Sequence, residues 1–130
     1  MMKIAYIAGP YRGKTKEDIE KNIRDAEQIA QRFWKMGHAV ICPHMNSAHF
    51  DGIVPDKNFL NGDKEILKRL IPGVDFVVLM IGWKNSAGAR AEAELAANLG
   101  LRIIDLDALE NKQLQNENKQ LDNKTEQAHT

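Results

Sequence analysis

VDFVVLMIGWKNSAGARAEAELAANLGLRIIDL, residues 74–106, decides the fold. Its first eight residues are, but for Asp75, a continuous apolar run rich in β-branched side chains. Such a run predicts a strand buried on both faces, as in parallel sheets. GWKNSAG (82–88) reads as a loop, and the alanine-rich stretch 87–99 closing at Gly100 reads as a helix. LRIIDL (101–106) reads as a second strand. A strand, a helix and a strand in that order form a crossover unit, which joins parallel strands.

The same grammar extends toward the N-terminus. KIAYIA (3–8) predicts a buried strand ending at Gly9-Pro10. Thr15 and Asp18 have the spacing of a capping box. Ile19, Ile23, Ala26, Ala30 and Phe33 then form a helical stripe that Gly37 stops, with Trp34 beside it read as core. HAVIC (38–42) predicts another strand, and 59–71 a helix, with Leu60, Ile66, Leu67, Leu70 and Ile71 as its apolar positions. The stretch between, 43–58, has no periodicity and is long for a plain connection, which marks a functional loop. The order β-α-β-loop-α-β-α-β predicts a three-layer α/β domain: a mainly parallel, four- or five-stranded sheet with helices on both faces, Rossmann- or flavodoxin-like, with right-handed crossovers. Ligands then belong at the C-terminal ends of the strands, among loops 9–15, 43–58 and 82–88.

The chain of 130 residues fits one domain, assigned here to residues 1–107. Residues 108–130 turn polar, rich in Asn, Gln and Lys; Leu109, Leu114 and Leu121 are too sparse for a heptad seam, so a disordered or frayed helical tail is expected. Eighteen basic residues balance eighteen acidic ones, so no global field draws the chain to a nucleic-acid polymer or an anionic membrane. No apolar run approaches the ~20 residues of a membrane span. The single cysteine, Cys42, cannot form an intrachain disulfide, and a cytoplasmic location is the expectation.

Two glutamates stand close together in the 87–99 helix, and their faces differ. Glu92 shares a stripe with Leu95, Ala96 and Leu99, whereas Glu94 lies with Arg90 and Asn98 on a polar face. An inward carboxylate costs several kcal/mol unless partnered, so Glu92 is catalytic, or sits at the rim of the stripe, or is bonded to a nearby loop amide. Asp63 heads the stripe of Ile66, Leu67 and Leu70, as a functional acid or as a helix cap. GPYRGKT (9–15) imitates a phosphate loop but is one residue short between its glycines, so an ATPase reading fails. A loop with Gly9, Arg12 and Gly13 before a helix still favours an anion; otherwise it is a tight turn with Arg12 in solvent. His44 and His49 lack a third ligand, so no metal is expected. His44 follows a strand end and Trp83 can stack on a base, or else both are ordinary loop and core residues. Tyr6 lies near the end of the first strand, where its hydroxyl needs a partner.

Three blocks together resemble the nucleoside 2-deoxyribosyltransferase superfamily, and most closely its small members known as domain of unknown function 4406. They are Tyr6-Ile-Ala-Gly9-Pro10-Tyr11-Arg12-Gly13, Asp75-Phe-Val-Val-Leu-Met-Ile-Gly82-Trp83, and Ser86-x-Gly88-x-x-x-Glu92-x-x-x-Ala96. The resemblance covers roughly residues 3–106. It implies that Glu92 is a nucleophile, that Tyr6 positions it or the sugar, and that Asp63 assists by protonating the base. It also implies that Arg12, Ser86 and Gly88 hold a 5′-phosphate, which favours a monophosphate substrate. The activity implied is cleavage or transfer at the N-glycosidic bond of a (deoxy)nucleoside or its 5′-monophosphate, without a cofactor, in a homo-oligomer. A non-catalytic nucleotide-binding module, and a protein acting through its polar tail, are the alternatives.

Overall fold

The computed structural model describes residues 1–128, with side chains to residue 120. Residues 129 and 130, the end of the polar tail, lie outside the described residues. Strand β1 (Ile4–Ala8) leads to helix α1 (Lys16–Lys35), strand β2 (Ala39–Ile41) and a single turn α2 (Pro43–Asn46). Helix α3 (Asp56–Lys68), strand β3 (Phe76–Leu79), helix α4 (Ala87–Asn98), strand β4 (Arg102–Asp105) and helix α5 (Leu106–Ala128) follow. The four strands make one sheet in the order β2-β1-β3-β4, every pair parallel. This is the three-layer α/β architecture the alternation of apolar runs predicts, with four strands.

Alternation along β1 divides the interior in two. Ala5 and Ile7 point to one face and pack with Ala26, Ala30 and Phe33 of α1. Tyr6 and Ala8 point to the other, against Leu67 and Leu70 and against Ala93 and Ala96 of α4. Tyr6 pairs in register with Val77 of β3, which shares its face. The period of two therefore commits Tyr6 to the layer that holds α4. Asp75, buried just before β3, accepts hydrogen bonds from the Ile4 amide (2.9 Å) and the Ile71 amide (2.8 Å), which fastens the starts of the two central strands together.

The local signals explain most boundaries. Thr15 and Asp18 form the capping box: Oγ1 of Thr15 accepts from the Asp18 amide, and the Asp18 carboxylate accepts from the Thr15 amide. Gly37 and Gly100 take positive φ after α1 and α4, the left-handed position that ends a helix. Trp34 is corrected: it lies one residue past Phe33, off the α1 stripe, and is 56% exposed. Helix α3 starts at Asp56, after Pro55, where a polar first turn hides it from apolar periodicity. The 43–58 stretch also contains α2, started by Pro43. The last strand ends at Asp105, and α5 runs on directly, with Leu106 packed against the α1-side core. No helix among the described residues is long and apolar enough to cross a membrane.

Candidate active site

The strand order places β1 beside β3, with the crossovers from them leaving in opposite directions along the sheet. In open parallel sheets that switch point opens a crevice beyond the strand ends. A cavity of about 460 Å³ occupies it, lined by the loop after β1, the loop before α4, and residues from α2 and α3.

Seven of the residues singled out from sequence line this cavity: Gly9, Arg12, His44, Asp63, Ser86, Gly88 and Glu92. Tyr6 stands behind Glu92 rather than in the wall. Gly13 and Trp83 are not among the lining residues. A Cβ on Gly13 would collide with Asp18, which ties that glycine to the α1 cap. Trp83 packs in the α4-side core and its indole N–H donates to Asp105 (3.1 Å). Asp105 also caps α5 by accepting from the Ala108 amide (3.0 Å).

Glu92 is 7% exposed, whereas Glu94, Arg90 and Asn98 face solvent. Helix α4 is held to the sheet by Ala89, Ala93 and Ala96, and the same face carries Glu92 down onto β1. Its Oε2 accepts a hydrogen bond from the hydroxyl of Tyr6, itself fully buried. Burial raises the Glu92 carboxyl to about 7; the Tyr6 bond opposes this, nearby Asp63 adds to it, and Lys64 opposes it. Burial and the Glu92 charge both push Tyr6 far above the ordinary phenol range, so it stays a neutral donor. A shift of that size on Glu92 costs the fold roughly 3 kcal/mol at neutral pH and above. A few buried aliphatic side chains, at about 1.5–3 kcal/mol each, offset it.

Asp63 lies about two turns into α3 and so caps nothing. Burial raises its carboxyl to about 6. The pocket thus holds two carboxyls that change protonation around neutrality, the pattern of acid–base and nucleophilic sites.

His44, 5% exposed, lies within 2.7 Å of the Pro10 carbonyl through Nε2. A carbonyl only accepts, so Nε2 carries the proton and Nδ1 is left as a bare acceptor with no protein partner. Burial lowers the His44 pKa, which keeps the ring neutral. It packs edge-on against Tyr11 and ties the first loop to α2. His49 sits on the surface with a positive φ, and no group of three or more potential metal ligands occurs among the described residues.

Arg12 is not free in solvent. Its Nη2 meets Asp56 at 2.5 Å and Asp51 at 3.3 Å. Tyr11 donates its hydroxyl to the same Asp51 oxygen (3.1 Å). The Asn22 amide donates to the carbonyls of Tyr11 (3.1 Å) and Arg12 (3.4 Å), fixing the loop from α1. Ser86 caps α4 through Oγ to the Ala89 amide (3.2 Å). Ala87 and Gly88, the first two residues of the helix, line the cavity, and the amides of a helix's first turn have no partner within it. Asp51, Asp56 and the apolar wall of Phe59 and Leu60 were not readable as site residues from sequence. The partners of Arg12 are 39 and 44 positions away, beyond any local spacing. Comparison with curated proteins finds no match. A family model described as domain of unknown function (DUF4406) matches residues 2–105, and the chain belongs to that family.

Proposed function

We propose that this protein cleaves or exchanges the N-glycosidic bond of a (deoxy)nucleoside or its 5′-monophosphate, through a covalent glycosyl intermediate on Glu92. The observation that carries the reading is a buried carboxylate, bonded to a buried tyrosine, in the wall of a ligand-sized cavity at the sheet's switch point. The resemblance of the Tyr6–Gly13, Asp75–Trp83 and Ser86–Ala96 blocks to the nucleoside 2-deoxyribosyltransferase superfamily supports it.

With Glu92 ionised, one carboxylate oxygen attacks the anomeric carbon, and the C1′–N bond electrons leave with the base. Asp63, or a water beside it, delivers a proton to the departing nitrogen. Water then attacks C1′, breaking the bond to Glu92 and giving its proton to the now ionised Asp63 as the sugar leaves; a second base attacking there gives up its N–H proton to the same carboxylate and receives the sugar. Tyr6 holds Glu92 in one orientation throughout. No cofactor enters these steps, and a homo-oligomer is part of the reading, checked by sedimentation.

The test uses deoxynucleosides and their 5′-monophosphates, with free base as the readout. Base release that falls by roughly three orders of magnitude or more in Glu92→Ala and persists in Glu94→Ala supports the reading. Binding without release, unchanged in Glu92→Ala, identifies a non-catalytic nucleotide-binding module instead.

A further inference from the structure

The rim of the cavity carries a charge arrangement that bears on which ligand enters, a point that rests on the N-glycosidic reading above. We infer that Asp51 and Asp56 are specificity residues that direct the pocket to an uncharged nucleoside and against its 5′-monophosphate.

Arg12 is the cation a phosphate would seek, yet its guanidinium is already engaged by both aspartates through a single nitrogen. Tyr11 adds a third contact by donating to Asp51. This cluster bridges the cavity mouth from the first loop to the start of α3. It sums to one negative charge: one guanidinium against two carboxylates.

The cavity lining as a whole points the same way. Two basic residues, Arg12 and Lys57, face four carboxyls: Asp51, Asp56, Asp63 and Glu92. His44 adds no positive charge, because burial lowers its pKa and outweighs the bond to Pro10, which acts the other way. A phosphate dianion bound to Arg12 would lie within a few ångströms of two carboxylates, and like charges at that range repel even in a high dielectric. The opening of α4 attracts anions, but one of its first amides, that of Ala89, is already taken by Ser86.

A nucleoside suits the same walls. Phe59 and Leu60 offer an apolar face for a base. A nucleoside whose anomeric carbon meets Glu92 and whose 5′ end reaches the rim meets Asp51 and Asp56 there. A 5′-hydroxyl donates to a carboxylate, which only accepts, whereas a phosphate offers that carboxylate no donor once it is fully ionised.

Calorimetric titration of deoxynucleosides and their 5′-monophosphates tests this, in Glu92→Gln so that bound ligand is not consumed. Nucleosides are expected to bind at least about tenfold more tightly than monophosphates. Asp51→Asn with Asp56→Asn should raise monophosphate affinity by about tenfold or more and change nucleoside affinity much less. Each single substitution should move the ratio the same way. Both side chains are substantially exposed, at 42% and 67%, so the fold does not depend on them. Tighter monophosphate binding by the parent, a ratio unmoved by the substitutions, or no binding of either ligand overturns the inference. Selectivity that holds while the native protein releases no base would instead count against the N-glycosidic reading alone.

Discussion

Glu92 and Asp63 set the pH behaviour of the protein. Burial lifts the first from 4.5 to about 7 and the second from 3.8 to about 6. Between the unfolded and folded values the native state holds more protons than the unfolded chain, so stability is greatest below that window and falls as pH rises through it. Glu92→Gln should therefore raise the melting temperature at pH 8 by several degrees, corresponding to roughly 2–3 kcal/mol, and leave it unchanged at pH 4. Thermal unfolding monitored by circular dichroism at both pH values checks this. In the proposed reaction Glu92 attacks as the carboxylate and Asp63 donates as the acid. The pair then gives a bell-shaped profile with limbs near 6 and 7 that belong to both groups together. Asp63→Asn should remove the alkaline limb and slow base release by about 10²–10⁴, as read from initial rates across pH.

At the scale of elements, the signals that were legible in sequence are those with a short period. The inward turn of Glu92 was readable because Leu95, Ala96 and Leu99 mark the buried side of α4, and Glu94 marks the exposed one. The α1 cap was readable because Thr15 and Asp18 meet within one turn. The start of α3 was not, because Asp56, Lys57 and Asn58 are polar and exposed and present no stripe. Neither was the Arg12 cluster, which depends on how two loops meet in space. Trp34 shows the error of a stripe widened by one residue: about 100° of helix rotation moves a side chain from core to solvent. Close approach gives another element-level prediction. A Cβ on Gly9 would lie 2.5 Å from Sδ and 2.6 Å from Cβ of Met80, and the latter cannot swing away because it is fixed to the backbone. Gly9→Ala should cost about 1–3 kcal/mol in denaturant unfolding and displace the loop that carries Arg12.

For the molecule as a whole, the two core layers account for the domain, and among its described side chains α5 joins them through Leu106. Leu106 packs against the core, while Leu109 and Leu114 are exposed. Asp105 links the start of α5 to Trp83 in the loop before α4. A chain ending after Glu110 keeps that link and should melt within a few degrees of the full protein; a larger drop in calorimetry would mean that the polar helix packs on something the single chain does not show.

The sheet's outer margins carry a last consequence. Both lateral strands are brief, three residues in β2 and four in β4, and Arg102 stands exposed on the latter. A border that short offers an incoming chain too few unpaired amides and carbonyls to template stacking, and a charged side chain there discourages it further. Short margins of this kind disfavour growth of fibrils from the native state at both rims.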